Sequence, residues 1–86
     1  MLTQRQLECV TLFAHDYSLD EIAKIFGIEK ATVQSHLNEA RSNLFLERRT
    51  SLIVYYHQQP QMFQHTVESL QKAEKNIHFP KTKSNA

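Results

Sequence analysis

Residues 28–44, IEKATVQSHLNEARSNL, carry the most informative pattern in the chain. At 100° per residue this stretch places Val33, Leu37, Ala40 and Leu44 on one narrow apolar stripe. The opposite side carries Ala31, Gln34, Ser35, Asn38 and Ser42. A merely solvated face usually favours Lys and Glu, whereas this one offers small and amide side chains. The spacing predicts a helix over residues 30–44 with one buried edge and an outer face that is polar but uncharged.

The flanking residues punctuate further helices. Upstream lies Gly27, the only glycine of the chain, where a helix C-cap needs positive φ. Ser18 and, three residues on, Glu21 form a capping box for a short helix between them, with Ile22, Ala23 and Phe26 facing inward. Asp20 and Glu21 suit its start and Lys24 its end. Before it, Thr3 caps a first helix over residues 4–15. Leu7, Val10, Phe13 and Ala14 share one arc of that helix, with Cys9 at the edge. It ends near Asp16, since Asp tolerates left-handed backbone better than most residues.

Downstream, a turn at Phe45-Leu46-Glu47 leads to a fourth helix over residues 49–57. Leu52, Ile53, Val54, Tyr55 and Tyr56 nearly encircle it, so it wants two partners: its own core and another surface. After a break at Gln58-Gln59-Pro60, a fifth helix is expected over residues 61–76. Met62, Phe63, Val67, Leu70, Ala73 and Ile77 form its stripe. It either folds back on the domain or pairs with its twin. Residues 79–86 are rich in Lys, Ser and Asn and read as a disordered tail. The organisation is therefore a helical domain over 1–58, an amphipathic helix over 59–78 and the tail, with no internal repeat. The fold class is all-α.

The chain has 86 residues, of which 41% are apolar and 22% charged, enough for one small domain with a modest core. One cysteine excludes an internal disulfide and fits a reducing cytoplasm. No signal peptide and no apolar run of membrane-spanning length are seen, so a soluble, cytoplasmic protein is expected. Net charge is +1. Residues 1–58 hold six Lys or Arg against seven Asp or Glu, and residues 59–86 hold four against two. That is a weak field for a nucleic-acid binder.

A short helix, a Gly-containing turn and a longer helix with a polar outer face make a helix-turn-helix. The second helix of such a unit lies in the major groove of DNA. Asn and Gln can pair bidentately with adenine, Ser can contact several bases, and Ala31 could pack on a thymine methyl.

The ordered motifs resemble the LuxR/GerE-type helix-turn-helix domain of bacterial transcription regulators over residues 2–54. LTQRQLECVTLFA brings Leu2, Thr3, Arg5, Glu8 and Ala14, and YSLDEIAKIFGI brings Ser18, Glu21, Ile22, Ala23 and Gly27. ATVQSHL adds Thr32, Val33, His36 and Leu37, and RRTSLI adds Arg49 and Thr50. The resemblance implies a four-helix domain whose third helix reads DNA and whose fourth often makes the dimer. Carried onto this chain, it implies base contacts from Gln34, Ser35 and Asn38. Phosphate contacts are expected from Lys30, Thr32, Arg41, Arg48 and Arg49. A dimer surface is expected from Leu52, Ile53, Tyr55, Tyr56, Phe63 and Leu70. The lysines of the C-terminal segment would add sequence-independent attraction.

This chain departs from the family pattern at four points. Asp16 stands where Gly is usual, and Glu29 stands where a capping Ser or Thr is usual. The groove face lacks the family's common Lys, and Leu52 replaces a typical Ala. No receiver or ligand-binding domain is seen, so a stand-alone domain is expected.

Other residues take bland readings. His36, at the edge of the apolar stripe, is expected to be structural. His15, His36, His57, His65 and His78 with Cys9 show no metal-ligand spacing, so no metal is expected. Cys9 sits among core positions rather than in a nucleophilic site. With no Gly-rich phosphate loop and no acid/base pair, the chain reads as a non-enzyme without cofactor or small-molecule ligand. Tyr55 and Tyr56 either complete a small core or line a homodimer interface, and the interface is favoured.

The function expected is a sequence-specific transcriptional regulator acting on double-stranded DNA as a homodimer, at the nucleoid. Another transcription regulator or RNA polymerase is a further candidate partner. The alternative is an antiactivator-like protein-interaction module that pairs with another regulator through the fourth and fifth helices. A third reading, a sigma-factor-like promoter-binding domain, shares the helix-turn-helix but is disfavoured by the missing basic cluster.

Overall fold

A computed structural model gives the fold and describes residues 1–73. The expected end of the fifth helix, Ile77 and the tail lie outside the described residues. Five helices follow in order: α1 Gln4–Ala14, α2 Leu19–Phe26, α3 Lys30–Asn43, α4 Ser51–Gln58 and α5 Pro60–Ala73. Among the described residues there are no strands. The fold is all-α: a four-helix LuxR-type helix-turn-helix domain with an additional C-terminal helix.

Local chemistry sets the helix ends. Gln6 N–H donates to Thr3 Oγ1 and Thr3 N–H to Gln6 Oε1, each at 3.1 Å, so α1 opens with a full capping box. The same device opens α2: Glu21 N–H donates to Ser18 Oγ at 3.1 Å and Ser18 N–H to Glu21 Oε1 at 2.8 Å. Gly27 closes α2 at φ 66°, with Ile28 N–H reaching back to the Ala23 carbonyl at 3.0 Å. A Cβ at Gly27 would meet nothing within 4 Å, so backbone conformation and not space demands glycine there. The connection into α4 runs through i→i+3 bonds, such as Ser51 N–H to the Arg48 carbonyl at 3.1 Å, and delays the helix to Ser51.

The first helix is central: α2, α3, α4 and α5 all pack against it. Its buried arc is therefore wider than one amphipathic stripe. Cys9, Val10, Thr11 and Leu12 are fully buried, while Leu7, Phe13 and Ala14 are half-buried. Cys9 thus sits inside the core and not at its edge. Burial pushes its thiol up to about 12. The core continues through Ile22, Val33, Leu37, Ala40, Leu52, Phe63 and Leu70.

The fifth helix folds back within the chain, against α1 and α4. Phe63 lies against Tyr56 with ring centroids 4.9 Å apart and edge-on to Tyr55 at 6.4 Å. Leu52, Phe63 and Leu70 are at most 3% exposed and are committed to the chain's own core. Ile53, Tyr55 and Tyr56 are half-buried. The Tyr56 hydroxyl lies 2.9 Å from His15 Nε2, linking α4 to the end of α1.

Candidate nucleic-acid interface

The α2–turn–α3 unit positions the outer face of α3. Val33, Leu37 and Ala40 are fully buried and fix the rotation of the helix. Ala31, Ser35, Asn38 and Ser42 are consequently exposed, with Gln34 half-buried beside them. Among the described residues no side-chain hydrogen bond holds Gln34, Ser35 or Asn38. Their amide and hydroxyl groups are available to an external partner. The three expected base-contacting residues therefore share one surface.

Gln6 anchors α3 from behind, its Nε2 donating to Glu39 Oε1 at 3.1 Å. Arg5 braces α2 across the same side: its guanidinium lies 4.1 Å from the Phe26 ring centroid and 3.3 Å from the Glu8 carboxylate. Local spacing reveals neither the Gln6–Glu39 bond nor the Arg5–Phe26 contact, since each joins two different helices.

The electrostatics of the face are muted. Lys30, at the start of α3, is exposed and pairs with Asp20 at 3.8 Å. Glu29 N-caps α3 without a side-chain hydrogen bond. A shallow cleft of about 660 Å³ between the end of α2 and the start of α3 is lined by Asp20, Lys24, Glu29 and Lys30, two charges of each sign. Thr32 is half-buried in the first turn.

Arg41 is partly held by its own chain. Its Nη1 donates to the carbonyls of Leu46 at 3.0 Å and Glu47 at 3.4 Å, and so clamps the α3–α4 turn. The Arg41 carbonyl in turn accepts from Leu46 N–H at 2.9 Å. Arg48 is exposed and Arg49 half-buried in the connection that follows. Phe45 in the same turn is 93% exposed at φ 58°. The turn expected at Phe45-Leu46-Glu47 fits that exposure.

Among the described residues, no group of three His, Cys, Asp or Glu side chains could hold a metal ion. No helix among them is long and apolar enough to cross a membrane.

A short capped helix, a turn closed by left-handed glycine and a longer helix presenting a free polar face define a helix-turn-helix DNA-binding domain. The chain belongs to the family described as "Sigma-70, region 4", whose pattern matches residues 1–44, and its helix-turn-helix is of LuxR/GerE type. The match runs through the end of α3 and so covers α1, α2, α3 and the turn between α2 and α3. The helix-turn-helix is the element that this family pattern shares with LuxR/GerE-type regulators.

Among proteins of known role, the chain is similar to the response regulator protein VraR of Staphylococcus aureus (strain NCTC 8325 / PS 47), Staphylococcus epidermidis and Staphylococcus saprophyticus. Each is 38% identical over 58 residues, which is 67% of this chain and 28% of the relative. The chain therefore spans under a third of the length of these relatives. No solved structure matches it at a comparable level.

Proposed function

We propose that the chain is a sequence-specific DNA-binding transcriptional regulator of the bacterial cytoplasm. It acts as a homodimer that inserts α3 of each copy into the major groove and carries out no catalysis. The observation that carries this reading is the outer face of α3: small and amide side chains, solvent-facing and unbonded, on a helix whose other side is locked into the core. The family match and the name of the relatives, response regulator, support the regulatory role.

In this reading Gln34, Ser35 and Asn38 contact base edges. Lys30, Thr32, Arg48 and Arg49 contact phosphates. The dimer forms through α4, where Val54 is 56% exposed beside the half-buried Ile53 and Tyr55. Two copies on one duplex read half-sites about one helical turn apart, so the site is a near-palindrome.

The test is retention from a pool of random duplexes at two salt concentrations. An enriched near-palindrome, bound more weakly as salt rises, is the expected result. Absence of any enriched sequence would contradict the reading.

A further inference from the structure

The chemistry of the α3 face goes further than DNA binding in general. Guanine is most commonly read by an Arg or Lys that donates to its O6 and N7. The third helix carries two cations: Lys30, exposed in its first turn and assigned above to phosphate, and Arg41, near its end. Lys30 pairs with Asp20 at 3.8 Å, at the very start of the helix. Arg41 turns its Nη1 away to the carbonyls of Leu46 and Glu47. What remains on the outer face is Ala31, Gln34, Ser35, Asn38 and Ser42, none of them charged and none acting as a cationic donor.

Resting on the DNA-reading function proposed above, we infer that this helix-turn-helix selects A·T base pairs and leaves guanine unread. Gln34 and Asn38 each carry an amide donor beside an amide acceptor, the pattern that complements N7 and N6 of adenine. They lie four residues apart, one turn along the same face, so they address successive positions of one half-site. Ala31, one turn before Ser35, offers a methyl group to a thymine methyl. Ser35 and Ser42 accept either base. Specificity then comes from neutral bidentate pairs, and the weak field of the domain costs affinity without costing discrimination.

The experiment uses the full chain. Random duplexes are selected on the wild-type protein, and the enriched duplex is resynthesised with 7-deazaadenine at each enriched adenine. That base lacks only the major-groove N7 acceptor. The expected result is an A·T-rich core in each half-site and roughly tenfold weaker binding on 7-deaza substitution at the positions read by Gln34 and Asn38. Asn38→Arg, a change at an exposed position, then shifts the preference at one position to guanine.

A selected core dominated by G·C pairs would overturn the inference while leaving the DNA-reading function standing. So would an A·T core indifferent to 7-deaza substitution, since that preference would come from groove shape. If no duplex is enriched, both the inference and the function beneath it fall.

Discussion

Asp16 and Phe45 both adopt left-handed backbone, at φ 70° and 58°, although neither is glycine. Such a conformation costs an ordinary L-residue about 1–2 kcal/mol, and Asp somewhat less. Asp16 ends α1 and lets Tyr17 N–H reach the Leu12 carbonyl at 3.1 Å. Asp16→Gly is expected to raise unfolding stability by up to about 1 kcal/mol in urea titration. The Asp16 turn is legible in the sequence because Asp belongs to the few residues that tolerate this geometry. The turn at Phe45-Leu46-Glu47 is legible too, but the left-handed backbone at Phe45 is not, since Arg41 clamps the carbonyls beyond it.

The buried Cys9 thiol supplies a second prediction at this scale. In the unfolded chain it ionises near 9.0, and in the fold burial raises this to about 12. Above pH 9 unfolding therefore releases a proton, so stability is full below that pH and falls as pH rises toward 12. Burial also raises the Tyr56 phenol, which acts with the same sign. Denaturation midpoints measured from neutral to alkaline pH should decline in the wild type, and Cys9→Ala should flatten the decline while lowering the plateau.

Among the elements, capping boxes, the single glycine and the apolar stripe of α3 can all be read from local spacing, and each forms where local chemistry places it. The inward faces of α1 and α4 cannot be read that way. A helix packed on by four others has no single buried stripe, so local periodicity around Cys9 and Leu12 carries little information. Arg41 illustrates the same limit for the site. Its charge and place on α3 point to phosphate, and only the chain's return through Leu46 gives it carbonyls to bind. Arg41→Ala is accordingly expected to lower stability by about 1–2 kcal/mol through the unclamped turn. The salt dependence of DNA binding should remain as in the wild type. Arg48→Ala should do the reverse: the fold stays intact, and the slope of log affinity against log salt becomes shallower by about 1, the share of a single phosphate.

For the whole molecule, α5 is the decisive addition. Its stripe could serve the chain or a second copy, and sequence periodicity is the same in both cases. Within this fold Phe63 and Leu70 complete the core around α1 and α4. Phe63→Ala is expected to cost about 3–5 kcal/mol. Because Phe63 packs within its own chain, the gap between the unfolding midpoints of wild type and variant should not depend on protein concentration. A gap that widens with concentration would place Phe63 between copies. In the proposed homodimer, with α5 committed to the core, α4 around Val54 would be the apolar landing surface for a second copy.

Whether the exposed amides of α3 read DNA sequence is decided by comparing wild type with the Gln34→Ala, Asn38→Ala double variant. Binding of each is measured on the duplex selected by the wild type and on a scrambled duplex of equal length. The double variant is expected to bind the selected duplex at least tenfold more weakly, by about 1–3 kcal/mol for each bidentate pair removed, and to bind the scrambled duplex as before. An unchanged preference for the selected duplex would contradict the role of these amides, and the reading surface would have to lie elsewhere on the molecule.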